Sequence, residues 1–275
     1  MRKDRRIVEP MISKNRQKLI RSLERKKGRC ESGLFVAEGP KLVGELLSAG
    51  WKPTYVAATE KWWKEQHGCA WSTASVQPTE RRADGNMAET VTDEELQHVS
   101  FLKTPQQVLA LFPIMHSDET LASVARQELC LALDGVQDPG NLGTIVRLAD
   151  WFGIRHIFCS TQTADIFSPK AMQATMGAIA RVCVHYTDLP TALSGLQAPI
   201  YGTHLDGDNL YTKTLSSNGV IVMGNEGNGI SPEVGALVNE RLYIPPYPAD
   251  RTTVESLNVA IATAIVCAEF RRIKG

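Results

Sequence analysis

The stretch LCLALDGVQDPGNLGTIVRLADWFGIRHIFCS, residues 129–160, decides the fold. It opens on an apolar run, Leu129–Asp134, breaks at Gly135 into a loop holding Pro139, Gly140 and Asn141, and resumes as an amphipathic segment. With Leu142 at zero on a helical wheel, Ile145, Val146, Ala149 and Phe152 fall within about 80° of it, whereas Arg147 falls at roughly 140°, off the apolar stripe. A second apolar run, His156–Ser160, follows. Strand, helix and strand in so few residues form a parallel unit, because parallel neighbours need a helical crossover.

The alternation continues to the C-terminus. Further strands are expected at Val182–Tyr186, Ile200–Thr203, Gly219–Met223 and Arg241–Ile244, with helices beginning near Leu142, Pro169, Pro190, Pro232 and Ser256. Ser168-Pro169 and Ser231-Pro232 each set a hydroxyl before a proline suited to the first helical position. Several strands are apolar throughout, as strands covered on both faces are. The class expected is α/β, a mostly parallel sheet with helices on both faces.

The first half is smaller and less regular. A helix is expected from Ser13, with Leu19, Ile20 and Leu23 on one stripe, then a strand at Leu34–Ala37 and a helix from Gly39-Pro40 through Leu47. A strand at Thr54–Ala58, a tryptophan-bearing helix from Glu60, a surface loop at Pro78–Asn86, an acidic helix from Thr92 and a strand at Gln107–Phe112 complete it. The division expected is a flexible basic arm at 1–12, a small module at 13–118 and a larger one at 119–275. The polar segment His116–Thr120 is the linker, and Leu121–Arg126 is a helix at the boundary.

Composition narrows the function. The 275 residues are 43% hydrophobic with zero formal net charge. No apolar run approaches the ~20 residues of a membrane helix; Val259–Ala268 is too short and contains Thr263. No apolar segment follows the basic N-terminus, so a cytoplasmic protein is expected. The six cysteines form no CxxC pair, which argues against a zinc site and against a disulfide framework. Cys130, Cys159 and Cys267 lie in apolar runs and read as small core residues, and no histidine partner marks a catalytic thiol. The first thirty residues hold twelve Lys or Arg against three acids. That excess reads either as a polyanion contact or as a solvated helix face with a frayed tail.

Ligands of open parallel sheets bind beyond the carboxyl ends of the strands, and three loops there stand out. Asp134–Gly143 leaves a strand and enters the helix carrying Arg147, which on the helix alone reads as a surface arginine, as most arginines of amphipathic helices are. Ile221–Glu233 crowds Gly224, Gly227 and Gly229 into a strand-to-helix turn, where a backbone can approach a ligand. Their order is not the G-x-G-x-x-G of dinucleotide-binding proteins, which weakens an oxidoreductase reading. Ile244-Pro245, a Pro/Asp/Arg-rich stretch and Glu255-Ser-Leu-Asn-Val259 lead into the last helix, with Glu255 or Ser256 as its cap and Asn258 either a turn or a site residue.

In this order the three loops resemble the signature motifs of the SpoU (TrmH) branch of the SPOUT methyltransferases. Asn141-x-Gly143 with Arg147 is similar to the first, Gly224-Asn-Glu226-Gly227 with Gly229 to the second, and Ile244-Pro245 with Glu255–Val259 to the third. The likeness covers about residues 128–273. Phe35-Val-Ala-Glu-Gly39 resembles the family's small substrate-binding domain, itself like a ribosomal-protein α/β fold. One departure is that Pro246–Val254 is longer than the family's usual link and lacks glycine.

The resemblance implies a deep trefoil knot, S-adenosylmethionine as cofactor, RNA (ribosomal or transfer) as substrate, and a homodimer. It makes 13–118 the RNA-binding module and 119–275 the methyltransferase. It implies Arg147 as the essential catalytic residue, with Asn141, Glu226, Ser256 and Asn258 shaping the pocket, and cofactor contacts at Gly224, Ile244, Leu257 and Thr203. The reaction expected is 2′-O-methylation of a ribose, which needs no metal. The alternative is a non-enzymatic RNA-binding protein on the same fold.

Overall fold

The computed structural model describes residues 12–65, 87–248 and 256–272. Residues 1–11 of the arm expected at 1–12, the loop expected at 78–86, Cys69, Glu255 and most of the glycine-free link lie outside them, whereas Ile12 is described and buried. The chain divides into two compact units, one ending at Ile114 but including Phe167–Pro169, the other formed by the rest.

The first unit begins with α1 (Lys14–Ser22), α2 (Lys26–Ser32), β1 (Leu34–Glu38), α3 (Pro40–Ser48), β2 (Tyr55–Ala58) and α4 (Glu60–Glu65). β3 (Met87–Thr90), α5 (Asp93–Val99) and β4 (Val108–Pro113) complete it. Its strands lie in the order β1-β4-β2-β3, with β2 and β3 parallel and the other pairs antiparallel. The expected Ser13 helix is two helices. The buried Arg29 explains the break, because its guanidinium donates to the carbonyls of Leu23 at 2.7 Å and Glu24 at 2.8 Å. Gly28 lets the two helices close on each other, since a Cβ there would stand 2.1 Å from the carbonyl oxygen of Ser22. Ile20 and Leu23 then join Val36, Tyr55, Ala57, Leu96, Val99, Leu109 and Leu111 in one core. α2 and β3 escaped the sequence reading, being short and without a full apolar period.

The second unit contains α6 (Leu121–Ala125), β5 (Leu129–Leu133), α7 (Pro139–Trp151), β6 (His156–Cys159), α8 (Pro169–Thr175), β7 (Cys183–Tyr186) and α9 (Leu189–Leu193). β8 (Ile200–Asn209), β9 (Gly219–Met223), α10 (Pro232–Gly235), β10 (Glu240–Tyr243) and α11 (Val259–Arg271) follow. The strands form an all-parallel sheet in the order β10-β8-β9-β5-β6-β7. Every residue of β5 and β9 is buried, as expected of central strands covered on both faces. Alternate residues Cys130, Ala132, Val220 and Val222 pack with Leu121, Val124, Leu189, Leu193 and Val234 of the helices on one face. α7 lies alongside α11, with Asn258 meeting Asn141 at one end and Arg271 bonded to the carbonyl of Phe152 at the other.

Three expectations are corrected. β8 runs on to Asn209, so Thr203 sits inside a strand, although its pairing with β9 ends at Gly202. The last helix begins at Val259 with Asn258 as its cap, and Ser256 lies ahead of it. Ser231 takes the N-cap position of α10 as expected, but its hydroxyl makes no cap bond, and its N–H donates to the buried carboxylate of Asp134 at 2.8 Å. Cys130, Cys159 and Cys267 are buried, and burial raises the thiols of Cys130 and Cys267 to about 12 and that of Cys159 further, so none is a thiolate.

Arg29→Leu is expected to lower unfolding stability by about 2 kcal/mol, because two carbonyls lose their donor. Lys27→Ala, one residue from Gly28 but exposed, is expected to change it little; chemical denaturation of both variants is the check.

Candidate active site at the switch point of the parallel sheet

From β5 the chain moves outward to β6 and β7, then returns to place β9 against the other side of β5. The loops after β5 and β9 therefore diverge from adjacent strands, and a crevice opens between such loops.

Each loop has a local cause. Asp138 caps α7, its Oδ1 accepting from the N–H of Asn141 at 2.8 Å, and Pro139 takes the first helical position, where no N–H is needed. Lys170 bonds the other oxygen of Asp138 at 2.7 Å; the lysine and then the Asn141 amide hold that carboxyl below its usual range. After β9, Asn225 and Gly229 exchange two backbone hydrogen bonds, 2.8 and 3.0 Å, closing a tight turn. The Asn225 side chain accepts from the N–H groups of Gly227 and Asn228 and donates to the carbonyl of Gly135 at 2.7 Å, tying the second loop to the first.

Glycine is required at Gly224 because a Cβ would stand 2.2 Å from the carbonyl carbon of Gly229. At Gly143 the reason is different. A Cβ there would lie 2.5 Å from both the carbonyl oxygen of Ala171 and the Cβ of Ala174, so this motif glycine seats α8 against α7.

The side chains of all three loops meet in one chain of hydrogen bonds. Asn141 donates to Oε1 of Glu226 at 2.9 Å, and the backbone N–H of Gln137 donates to Oε2 at 3.4 Å. Asn258 donates to Oδ1 of Asn141 at 3.1 Å, while its own Oδ1 caps α11 by accepting from Ala260 and Ile261. Asn141, Glu226 and Asn258, expected from separate motifs, are thus one polar cluster.

The other expected residues are placed as follows. Gly224 is buried at the end of β9. Thr203 is half-buried, its hydroxyl 3.9 Å from the sulfur of Met223, the residue before Gly224. Ile244 follows β10, half-buried, and Ser256 and Leu257 lie exposed just before Asn258. Arg147 is exposed on α7 and makes no hydrogen bond or ion pair among the described residues. The hydrogen-bonded cluster does not include Arg147, Ser256, Ile244 or Leu257. Sequence reading missed Asn225 and Asp134 as organisers of these loops; their signal was a short polar side chain at the end of a buried strand.

A parallel-sheet α/β protein with a candidate ligand site at the strand-order reversal is the class these features define. The SpoU rRNA Methylase family model matches residues 128–268 and the MRM3-like substrate binding domain matches residues 14–110. The 23S rRNA (guanosine(2553)-2'-O)-methyltransferase RlmP of Bacillus subtilis is 29% identical over 255 residues, covering 91% of this chain and 94% of its own. A TrmH-family structure from Porphyromonas gingivalis superposes with a TM-score of 0.82 at 40% identity, covering 95% of this chain and 99% of that one. An AdoMet-bound rRNA methyltransferase from Sinorhizobium meliloti gives 0.80 at 31% identity, with 96% of each chain covered. The chain belongs to the SpoU rRNA methylase family.

Gly224→Ala is expected to open the Asn225–Gly229 turn. Amide exchange at those two residues should accelerate markedly; unchanged protection would show that the turn does not need a glycine there.

Proposed function

We propose that the protein methylates the 2′-hydroxyl of a ribose in ribosomal RNA, with S-adenosylmethionine as donor. The observation that carries the reading is the Glu226–Asn141–Asn258 hydrogen-bond chain, which joins all three family motifs at the end of the sheet where ligands bind. The relatives named for rRNA methylation and for bound AdoMet support the substrate and the donor.

The residues present fit the donor. The turn after β9 is packed too closely at Gly224 for any side chain, which leaves main-chain groups as its lining. Thr203, Gly224, Ile244 and Leu257 would hold the nucleoside, mostly through backbone atoms. S-adenosylmethionine supplies an electrophilic sulfonium methyl.

A ribose hydroxyl is a poor nucleophile at neutral pH, so the protein's own task is alignment and charge stabilisation. Arg147 suits the second task. A guanidinium keeps its proton in proteins, and this one is committed to no partner among the described residues. It would bind the phosphate beside the target ribose and stabilise the oxyanion that forms there. Glu226 already accepts from Asn141 and Gln137, which makes it an organiser of the loops rather than the base. Ser256 and Asn258 would complete the pocket wall.

Two further features belong to this reading. Arg147 and Trp151 stand one helical turn apart on α7, and Trp151 is 83% exposed. Leu257 at 47% and Ile261 at 55% exposed flank the start of the neighbouring α11. Large apolar side chains left open on one helix pair support a homodimer with Arg147 at its interface. The return of residues 256–258 to Asn141 supports the family's knotted threading. The first unit, with α1 and α2 rich in Lys and Arg, would hold the RNA. Among the described residues no helix is long and apolar enough to cross a membrane, and a ribosomal substrate would place the protein in the cytoplasm.

The test is transfer of labelled methyl to total RNA from a strain lacking the gene. Label in ribosomal RNA, recovered after alkaline hydrolysis as an uncleaved dinucleotide, is the expected result. Arg147→Ala should cut transfer by roughly a hundredfold or more while still binding S-adenosylmethionine. Failure of the wild type both to bind the donor and to label any RNA would favour the non-enzymatic RNA-binding reading.

A further inference from the structure

The opposite edge of the same sheet carries a second cluster of ligating side chains. β6 opens on His156 and β7 on Cys183, and the two are paired neighbours across the sheet. Glu119, just ahead of α6, reaches the same place. One ligand atom from each of Glu119, His156 and Cys183 lies within 4.8 Å of the others. His185, two residues beyond Cys183 and so on the same face of β7, brings its Nε2 to 3.1 Å from Nδ1 of His156. The Glu119 carboxylate is 3.4 Å from that same Nδ1.

We infer that Glu119, His156 and Cys183, completed by His185 or a water, form a binding site for a zinc-class divalent cation. The donor set, one thiolate, one or two imidazoles and one carboxylate, is the mixture that zinc accepts. The spacing agrees. Two nitrogens each 2.0–2.1 Å from a tetrahedral ion stand about 3.3 Å apart, between the 3.1 and 3.4 Å separations around Nδ1 of His156. Without metal the two imidazole nitrogens share a proton head-on. Their rings are 23° from coplanar, so a turn of the half-buried His185 brings its lone pair onto the ion.

The surroundings support the assignment. His156 is buried, and its other nitrogen, Nε2, faces the carboxylate of Glu128 at 3.7 Å. His185 is hydrogen-bonded to the backbone of Ser117. Ligating histidines are commonly oriented through their second nitrogen by a carboxylate or a carbonyl. Arg155 in turn fixes Glu128 with two hydrogen bonds, 3.1 and 2.9 Å. Binding would release the Cys183 proton and pin the segment before α6 to the starts of β6 and β7. These strands begin where the methyl-transfer loops do not, so the site is structural and leaves the transfer chemistry alone.

The full-length protein, stripped with chelator and carrying Cys30→Ser to remove the other described exposed thiol, is titrated with cobalt(II). A thiolate-to-cobalt absorption band with one ion per chain is expected, displaced by zinc, together with a higher unfolding midpoint. Cys183→Ser, exposed and safe for folding, should abolish the band; Glu128→Gln should weaken binding roughly 10- to 100-fold. Methyl transfer should survive both changes. Absence of the band, or a band of equal strength and affinity in Cys183→Ser and Glu119→Gln, overturns the assignment.

Discussion

The structure of the candidate site turns on the side chain of Asn141. One amide donates to Glu226 from the loop after β9 and accepts from Asn258 at the start of α11. An asparagine can serve both partners because it carries a donor and an acceptor on one planar group. Aspartate would repel Glu226, and alanine would leave Asn258 and Glu226 facing each other across a gap. The loops so joined diverge from strands that a parallel sheet forces apart at its order reversal. Polar cross-links have to replace the apolar packing that holds the rest of the unit together.

The sheet also sets the two ends of the unit different tasks. Parallel strands put all carboxyl ends at one edge, where the loops after β5 and β9 meet. The amino ends, at the other edge, receive His156, Cys183, Glu119 and Glu128. A strand of five residues spans roughly 16 Å, so the two clusters are held a full strand length apart. Glycine serves two purposes at the carboxyl end: Gly224 lets the turn after β9 close, whereas Gly143 serves helix packing.

Much of this was legible in the sequence. Continuous apolar runs marked the buried strands, and Gly219–Met223 matched the observed β9 to the residue. Proline placed the starts of α8 and α10 correctly. The reading failed where local signals compete. Ser231 does take the N-cap position of α10, but its hydroxyl makes no cap bond, and its N–H is held by Asp134, far away in the chain. The cap of the last helix was expected at Glu255 or Ser256, but the side-chain oxygen that reaches its free amides is that of Asn258.

The sequence by itself determined the α/β class, the order of strands and helices in the larger unit, and the three candidate loops, because these depend on periodicity and on glycine, proline and asparagine at short range. Only the tertiary structure decided which residues touch. It brought Asn141, Glu226 and Asn258 into one hydrogen-bonded chain and set Cys183 beside His156. Cysteine spacing is read along the chain and says nothing of such neighbours. His156 and Cys183 come from separate strands, and strand pairing, which sequence distance does not encode, is what makes them neighbours.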